Sequence, residues 1–247
     1  SVSDARPYSI LWCKCLSWLM SGTSSAQVIR RNAALIGKCP LPQQPMGCYL
    51  QHRMPDLLDF QPENRHQPAR GRLLVSEPYL PDPYFRRTVV LLCDHSAEGS
   101  FGFVLNRRMD LTVNDLMQDL PPIASQVGIG GPVQSGELYY LHTLGAHIPG
   151  SVEVVDGVHM GGDYEQLRSV LATDPRLSRH VRFFVGYSGW GPDQLRKELD
   201  DRSWLVAPAS KRSVMSPAVD ELWRNTLRSM GRAFAPLADF PEDPSLN

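Results

Sequence analysis

The sequence predicts an α/β protein with a mixed, mostly antiparallel sheet and surrounding helices, and this domain occupies residues 71–232. Short apolar runs bounded by turn residues indicate strands, and amphipathic stretches at helical spacing indicate helices. The two kinds of segment do not alternate in a regular order, which excludes a doubly wound parallel sheet.

The strongest strand signals lie in the first third of the domain. Residues 71–76 predict one strand, and residues 88–93 form a continuous apolar run typical of a strand buried on both faces. Residues 101–105 predict the next strand, so that the pair is expected to form a hairpin with a six-residue connection, 94–99. Further strands are expected at 127–129, 137–142, 151–155 and 181–187, with a hairpin-type turn at Asp156-Gly157.

Helix signals separate these strands. A short helix is expected at 112–120, where two prolines follow it. Asp163 is placed to cap a helix that ends near residue 172, with Gln166 in the reciprocal capping position. Pro192 suits the first turn of a helix to about residue 201. The last helix follows Ser216-Pro217 and carries one apolar stripe: Val219, Leu222, Trp223, Thr226, Leu227 and Met230.

Charge divides the chain into unlike parts. Residues 1–70 carry eight basic and four acidic side chains, a net of +4, whereas residues 71–247 carry 17 and 22, a net of −5. Residues 1–70 are expected to be an N-terminal extension of the domain, and three interpretations fit residues 1–53: a targeting peptide, a disordered tail, or upstream sequence preceding a true start at Met54. Residues 233–247 are rich in proline and acid and predict a flexible C-terminal tail.

The cysteines and the hydropathy predict a cytoplasmic location. Four of the five cysteines lie in the first 50 residues without metal-finger spacing, and Cys93 lies in an apolar run, where an inert buried thiol is the usual case. No segment approaches the roughly 20 apolar residues of a membrane-spanning helix, so no membrane contact is expected. The sequence predicts neither a metal nor a cofactor.

One segment comes close to a catalytic motif. Gly186-Tyr187-Ser188-Gly189-Trp190 resembles the nucleophile elbow G-x-S-x-G, but Trp190 occupies the place of the second glycine. The motif needs both glycines to relieve crowding at the strained corner. We therefore interpret the segment as a tight turn that packs two aromatic side chains, and predict no catalytic serine.

Two histidines and one glycine cluster are candidate sites. His95 follows a strand end and could act as a general base, a metal ligand or a loop anchor, while His142 lacks the spacing of a metal pair. Gly130-Gly131-Pro132 lacks the lysine and hydroxyl residues of a phosphate-binding loop. It predicts a turn or a close backbone crossing.

Direct DNA binding is disfavoured by charge. The net charge of −5 has the wrong sign for a nucleic-acid footprint. Arg86-Arg87 and Arg107-Arg108 are the dense basic points of the strand region, and on strands each pair would place one charge on each face.

An ordered set of motifs runs through the domain: residues 71–78, 82–92, His95, 99–106, Gly130-Gly131-Pro132-Val133, Leu141-His142, Gly161-Gly162-Asp163, and 186–192 with Gln194-Leu195. Together they resemble the AlgH/YqgE family of bacterial proteins over 71–232. The resemblance implies a compact α/β fold whose sheet is curled into a partial barrel, and a first residue near Met54.

The resemblance implies little about chemistry. Members are commonly labelled transcriptional regulators, and no biochemical activity is established for the family as a whole. The sequence departs from the family pattern at Asp193, where glycine is typical, and at Arg196, where glutamate is typical. The family also accepts alanine at the position of Ser188, which argues further against a serine nucleophile.

Two hypotheses follow. The first is a cytoplasmic regulatory or binding protein without catalysis, whose partner is a protein or a small ligand rather than DNA. The second is a small-ligand sensor or an enzyme with a pocket at the strand ends. The candidate ligand-binding or loop-anchoring residues are His95, Asn106, Gly130, Gly131, Pro132, Val133, His142, Gly186, Tyr187, Ser188, Gly189, Trp190 and Gln194.

Overall fold

A computed structural model describes residues 62–242 of the 247-residue chain. Within this range the strands are β1 Arg72–Ser76, β2 Val89–Ser96, β3 Gly99–Val104, β4 Arg108–Thr112, β5 Gln126–Ile129, β6 Val133–His142, β7 Val152–Val155, β8 Val158–Met160, β9 Val181–Trp190 and β10 Trp204–Pro208. The α-helices are α1 Val113–Leu116, α2 Tyr164–Thr173, α3 Gln194–Asp200, α4 Lys211–Val214 and α5 Leu222–Ser229. Turns of 3-10 helix occupy Gly145–His147, Pro175–His180 and Ala235–Asp239.

The strands form one mixed sheet, in the order β10-β1-β2-β3-β9-β6-β8-β7, with β5 on β9 and β4 on β5. Among the described strands only β5 and β9 run parallel. The sheet is strongly curled, since a Cβ on Gly71, next to β1, would lie 2.5 Å from the carbonyl oxygen of Val154 in β7. The predicted α/β fold with a mostly antiparallel, partly closed sheet is confirmed.

Both faces of the sheet are buried. One face of β1–β3 packs against α5 and the segment behind it, and the opposite face packs against the aromatic side chains around α3. A further cluster places α1 and α2 against β6 and β9. The first five residues of β2 have no exposed surface, which confirms the prediction of a strand buried on both sides.

Asp163 caps one helix as predicted, whereas the last helix keeps its predicted apolar stripe but begins at Leu222 rather than directly after Ser216-Pro217. The Asp163 carboxylate accepts a hydrogen bond from the backbone N–H of Gln166 at 3.0 Å and caps α2. The apolar stripe of α5 is buried at Leu222, Trp223 and Leu227. A capping residue stabilises the start of α2, and the burial of one apolar face stabilises α5.

The hairpin of β2 and β3 differs from the prediction. β2 continues to Ser96, and the link is two residues rather than six. A β-bulge lies between Leu92 and Asp94, where the pairing register shifts. His95 is therefore a strand residue paired with Ser100, and not part of the connecting loop.

Other elements were shorter than predicted or missed. The helix expected at 112–120 is the four-residue α1, capped reciprocally by Thr112 and Asp115. The strands β4, β8 and β10 were not predicted. Each has three to five residues, too few to show a period, and is held by its neighbours in the sheet.

The C-terminal segment corrects the predicted domain boundary. Residues 233–247 were expected to form a flexible tail, yet Phe234, Leu237 and Ala238 are buried in the core beside α5. The prediction was wrong because it used the proline-rich and acidic composition of the segment and overlooked these three buried apolar residues.

The N-terminal hypotheses concern residues 1–53, which lie outside the described residues. Part of the lead-in to the domain is described, and its Asn64 side chain bonds to the backbone of β10 at Trp204 and Val206.

Candidate functional site

The glycines 130 and 131 carry the chain across strand β9. β5 pairs with one edge of β9, whereas Val133, at the start of β6, pairs with Tyr187 on the other edge. A Cβ on Gly131 would lie 1.9 Å from the carbonyl carbon of Tyr187. Gly186 has a φ of +67° and also has no room for a side chain, since its Cβ would lie 2.5 Å from the carbonyl oxygen of Gly131. These glycines make a close backbone crossing possible.

Ser188 fastens this crossing. The segment 186–190 is the end of strand β9, so the predicted tight turn is wrong. The Ser188 side chain is fully buried, and its hydroxyl donates to the carbonyl oxygen of Gly130 at 3.1 Å. A hydroxyl held in this way has no route to a substrate, and it has a structural role.

Trp190 and Gln194 belong to a second buried cluster, centred on Glu198 of α3. The indole N–H groups of Trp190 and Trp204 donate to Oε2 of Glu198 at 2.9 and 2.8 Å, and the Gln194 amide donates to Oε1 at 2.9 Å. Burial raises the pKa of Glu198, while these three donors act in the opposite direction. The carboxylate thus joins α3 to β9 and β10.

Both candidate histidines are engaged in local contacts. His95 Nδ1 lies 2.6 Å from the hydroxyl oxygen of Ser100, on the neighbouring strand. His142 is fully buried, with Nε2 3.0 Å from the carbonyl oxygen of Gly161 and Nδ1 accepting the N–H of Leu144 at 3.3 Å. Burial is the main cause that lowers the pKa of His142. No group of three metal-ligating side chains occurs in residues 62–242.

The structure does not bring all the predicted residues to one cleft. Asn106 lies beside Val89, at the start of β2, whereas His95 lies near its end. At about 3.3 Å per residue the two are about 20 Å apart. The glycine crossing, the Glu198 cluster and the histidines are separate features, and of the predicted residues only Asn106 borders the cleft described next.

Asn106 holds its neighbour Arg87 in a strained conformation. Its Oδ1 accepts the backbone N–H of Val89, and its Nδ2 donates to the carbonyl oxygen of Arg87, both at 2.8 Å. Arg87 has a φ of 52°, in the left-handed region that a bulky residue adopts rarely. Such a residue costs about 1–3 kcal/mol and persists only where its surroundings impose it.

The guanidinium of Arg87 is partly buried. Nη2 donates to the carbonyl oxygens of Phe240 and Pro241, and the group lies 4.9 Å from the ring centre of Trp223. Nε and Nη1 are buried and have no hydrogen-bond partner within the described residues. Burial is the main cause that lowers the pKa of Arg87. Each of these two atoms exposes less than 1 Å² of surface, so Nε and Nη1 lie behind the cleft wall and the guanidinium attracts an anion in the cleft through its charge.

We call this cleft, lined by Arg86, Arg87, Asn106, Arg107, Asp220, Trp223, Arg224 and Glu242, the arginine cleft. Its volume is about 330 Å³. Within residues 62–242 none of its four arginines forms an ion pair with a carboxylate. Four cations thus share one concave surface with two acidic residues.

Sequence reasoning missed this cluster for a physical reason. Sequence reasoning predicts that the basic pairs at 86–87 and 107–108 are strand neighbours whose side chains point to opposite faces, but Arg86, Arg87 and Arg107 lie just outside β2 and β4. Folding brings them to Arg224, which the sequence marked only as part of a helix. The strain at Arg87 and its contact with α5 leave no local sequence signal.

A second concave surface lies between α2 and the residues after α1. It is lined by Asp119, Leu120, Pro121, Glu165, Arg168, Ser169 and Ala172. It is shallow and carries no unpartnered buried group among the described side chains. The arginine cleft is therefore the better candidate site.

No helix in the described range has the length and apolar character needed to span a membrane.

The fold is that of an α/β protein with a curled, mostly antiparallel sheet buried on both faces. The sequence model of the AlgH-like family matches residues 73–235. The chain belongs to this AlgH-like family, and the resemblance stated from its motifs is confirmed.

Relatives and solved structures support the assignment to this family. A UPF0301 protein of Bacteroides thetaiotaomicron is 36% identical over 185 residues, which cover 74% of this chain and 94% of the relative. One from Cytophaga hutchinsonii is 39% identical over 180 residues, covering 72% and 99%. The crystal structure of a Corynebacterium diphtheriae protein has a TM-score of 0.61 at 26% identity, covering 74% of this chain and 97% of that one. The solution structure of the AlgH protein from Pseudomonas aeruginosa has a TM-score of 0.56 at 26% identity, covering 71% and 98%.

Proposed function

We propose that this protein is a cytoplasmic regulatory protein of bacterial type that binds a small ligand in the arginine cleft and catalyses no reaction. The observation that carries the proposal is the state of Arg87. Its strained backbone is held by Asn106, and two of its buried nitrogen atoms face no acceptor among the described residues. Strain and unpartnered donors are typical of sites organised for a ligand.

The absence of catalysis is proposed from the state of the candidate reactive groups. The Ser188 hydroxyl and both His142 nitrogens are engaged with backbone groups, and the Glu198 carboxylate is held by three donors. A general base or nucleophile has to reach the atom on which it acts. None of these three groups is free to do so.

A regulator of this kind would act on transcription indirectly. The domain has a net charge of −5 over residues 71–247, and its clustered arginines line a concave cleft rather than an extended surface. Phosphate contacts along a duplex need basic groups spread over the length of the groove. A cytoplasmic location fits Cys93, which is a buried free thiol.

Native mass spectrometry of the full chain, isolated from its own host, tests ligand binding. We expect a mass increment of a few hundred daltons that disappears on denaturation. A chain that carries no such increment, and whose thermal stability does not respond to a small-molecule extract of the host, would contradict the proposal.

Mobility-shift titration against duplex DNA tests the claim of indirect action. We expect no retarded band even at low salt. A shift that weakens steeply as the salt concentration rises would establish phosphate contacts and overturn this part of the proposal.

A further inference from the structure

We propose that the arginine cleft recognises a phosphate group, either free or as the ester of a small molecule. The proposal rests on the proposed function, because it names the chemistry of the ligand for the same site.

The charge of the cleft selects a dianion. Four arginines and two acidic residues, Asp220 and Glu242, line it, so that two positive charges remain uncompensated. A phosphate ester carries about −1.5 to −2 at neutral pH, which matches this excess. A single carboxylate would leave one positive charge without a counter-charge.

The donors of the cleft also match phosphate. A guanidinium presents its N–H groups as a planar fork that suits the oxygens of phosphate. Nε and Nη1 of Arg87 are buried without a partner among the described residues. Arg224 uses its Nε on the carbonyl oxygen of Ala238, and Arg107 uses one Nη on that of Arg86. The donors that a phosphate would accept from are Arg86 and the remaining N–H groups of Arg107 and Arg224, while the buried guanidinium of Arg87 contributes its charge.

The site is organised before a ligand arrives. Asn106 fixes the backbone of Arg87, and the ring of Trp223 lies against the guanidinium at 4.9 Å. Trp223 is itself fixed, since its indole N–H donates to the carbonyl oxygen of Ser76 at 2.9 Å. Side chains held in this way lose little conformational entropy on binding.

The size of the cleft limits the ligand. A volume of about 330 Å³ lies at the lower end of the roughly 300–1,000 Å³ typical of small-molecule sites. It admits a phosphate with a small organic group. The Trp223 ring is buried and faces Arg87, so it offers no free surface on which a base could stack.

Calorimetric titration of the full chain in a phosphate-free buffer of low salt tests the proposal. The probes are inorganic phosphate and glycerol 3-phosphate. We expect Arg224→Gln to weaken binding about tenfold, because it removes a charged donor. The matched control is Arg228→Gln, on the same helix, where the side chain pairs with Asp239 and does not line the cleft. It is expected to bind as the unaltered chain does.

A second variant guards against a trivial loss of folding. Glu242→Gln removes one negative charge from the rim, and we expect it to tighten binding about two- to fivefold. Impaired folding cannot produce tighter binding.

Comparison of the two probes identifies the source of the phosphate. Equal affinity for both probes would identify free phosphate as sufficient, and tighter binding of the ester would identify a phosphorylated small molecule.

Failure of both probes to bind would overturn the inference, and so would equal losses in Arg224→Gln and Arg228→Gln. A ligand without phosphorus, found by native mass spectrometry, would overturn the phosphate assignment and leave the proposed binding function standing. Conversely, release of inorganic phosphate from glycerol 3-phosphate by the chain, but not by Arg224→Gln, would contradict the non-catalytic function while supporting the phosphate site.

Discussion

Gly131 is the residue at which two parts of the backbone come closest, and it has no room for a side chain. We predict that Gly131→Ala destabilises the protein by at least about 3 kcal/mol, because the added Cβ would lie 1.9 Å from the backbone of Tyr187, which cannot move away. Urea denaturation followed by circular dichroism measures the change. Gly191→Ala is the control, since its Cβ would come no closer than 3.9 Å to Gln194. Equal stability of the two variants would refute the crossing.

His142 makes stability depend on pH. Its lowered pKa means that the folded protein binds fewer protons there than the unfolded chain does, over the interval between the folded pKa and about 6.5. The contribution of His142 is therefore fully present above that interval and is lost as the pH falls through it. Protonation would also turn Nδ1 into a donor that faces the N–H of Leu144.

The prediction is a fall in the free energy of unfolding between pH 7.5 and 5, with a smaller slope in His142→Gln. Urea denaturation at a series of pH values gives the slope. The same substitution at the exposed His147 serves as the control. An unchanged slope in His142→Gln would exclude this histidine as the cause.

The two departures from the family pattern are physically linked. Asp193 has a φ of 60°, the left-handed conformation that glycine adopts most readily. Its carboxylate pairs with Arg196 at 3.2 Å, in a geometry worth about 0.2–0.5 kcal/mol. Arginine at this position thus offsets part of the cost of placing aspartate where glycine is typical.

Helix α3 is held to the sheet by the packing of Leu195 and by the hydrogen bonds of the Glu198 carboxylate. We predict that Glu198→Gln costs about 2 kcal/mol, because the two indoles and the Gln194 amide lose a charged acceptor. Denaturation gives the cost, and a shift in tryptophan fluorescence reports the two indoles. Glu165→Gln, at the exposed end of α2, is the matched control and should cost less than about 0.5 kcal/mol. A cost as small for Glu198→Gln would show that packing alone holds α3.

Elements were predictable where the local pattern was long enough. The apolar run of β2 and the stripe of α5 indicate their elements without knowledge of their neighbours. β10 is different: it is five residues long, and it is stabilised by β1 and by the Asn64 side chain, 140 residues from Trp204 along the chain. Stabilisation from such distant partners leaves no trace in a local window.

The candidate site was less predictable than the elements. Asn106 was selected because it lies at a strand end, but its partners in the arginine cleft come from three separate parts of the chain. The glycine crossing could be proposed because the adjacent residues Gly130 and Gly131 are visible in the sequence, although the backbone they approach is not. The arginine cluster forms only when the chain folds, and the net charge of the domain does not reveal it.

For the molecule as a whole, the C-terminal segment completes the core rather than trailing from it. We predict that Phe234→Ala costs about 3–5 kcal/mol, since the ring is buried behind α5. Thermal unfolding with a dye that binds exposed apolar surface measures the loss. Arg232→Ala, two residues earlier and exposed, should unfold as the unaltered chain does. A small effect at Phe234 would restore the view of this segment as a tail.

The crossing at Gly130–Val133 also constrains the order in which the protein can form. The segment passes over β9, a strand that the chain supplies only after β6, β7, β8 and α2. β5 and β6 therefore lack their shared partner until β9 enters between them, and this part of the sheet cannot grow hairpin by hairpin. Because closing such distant contacts is slow, refolding should be limited by the arrival of β9, and during synthesis β3, β5 and β6 have to wait for it.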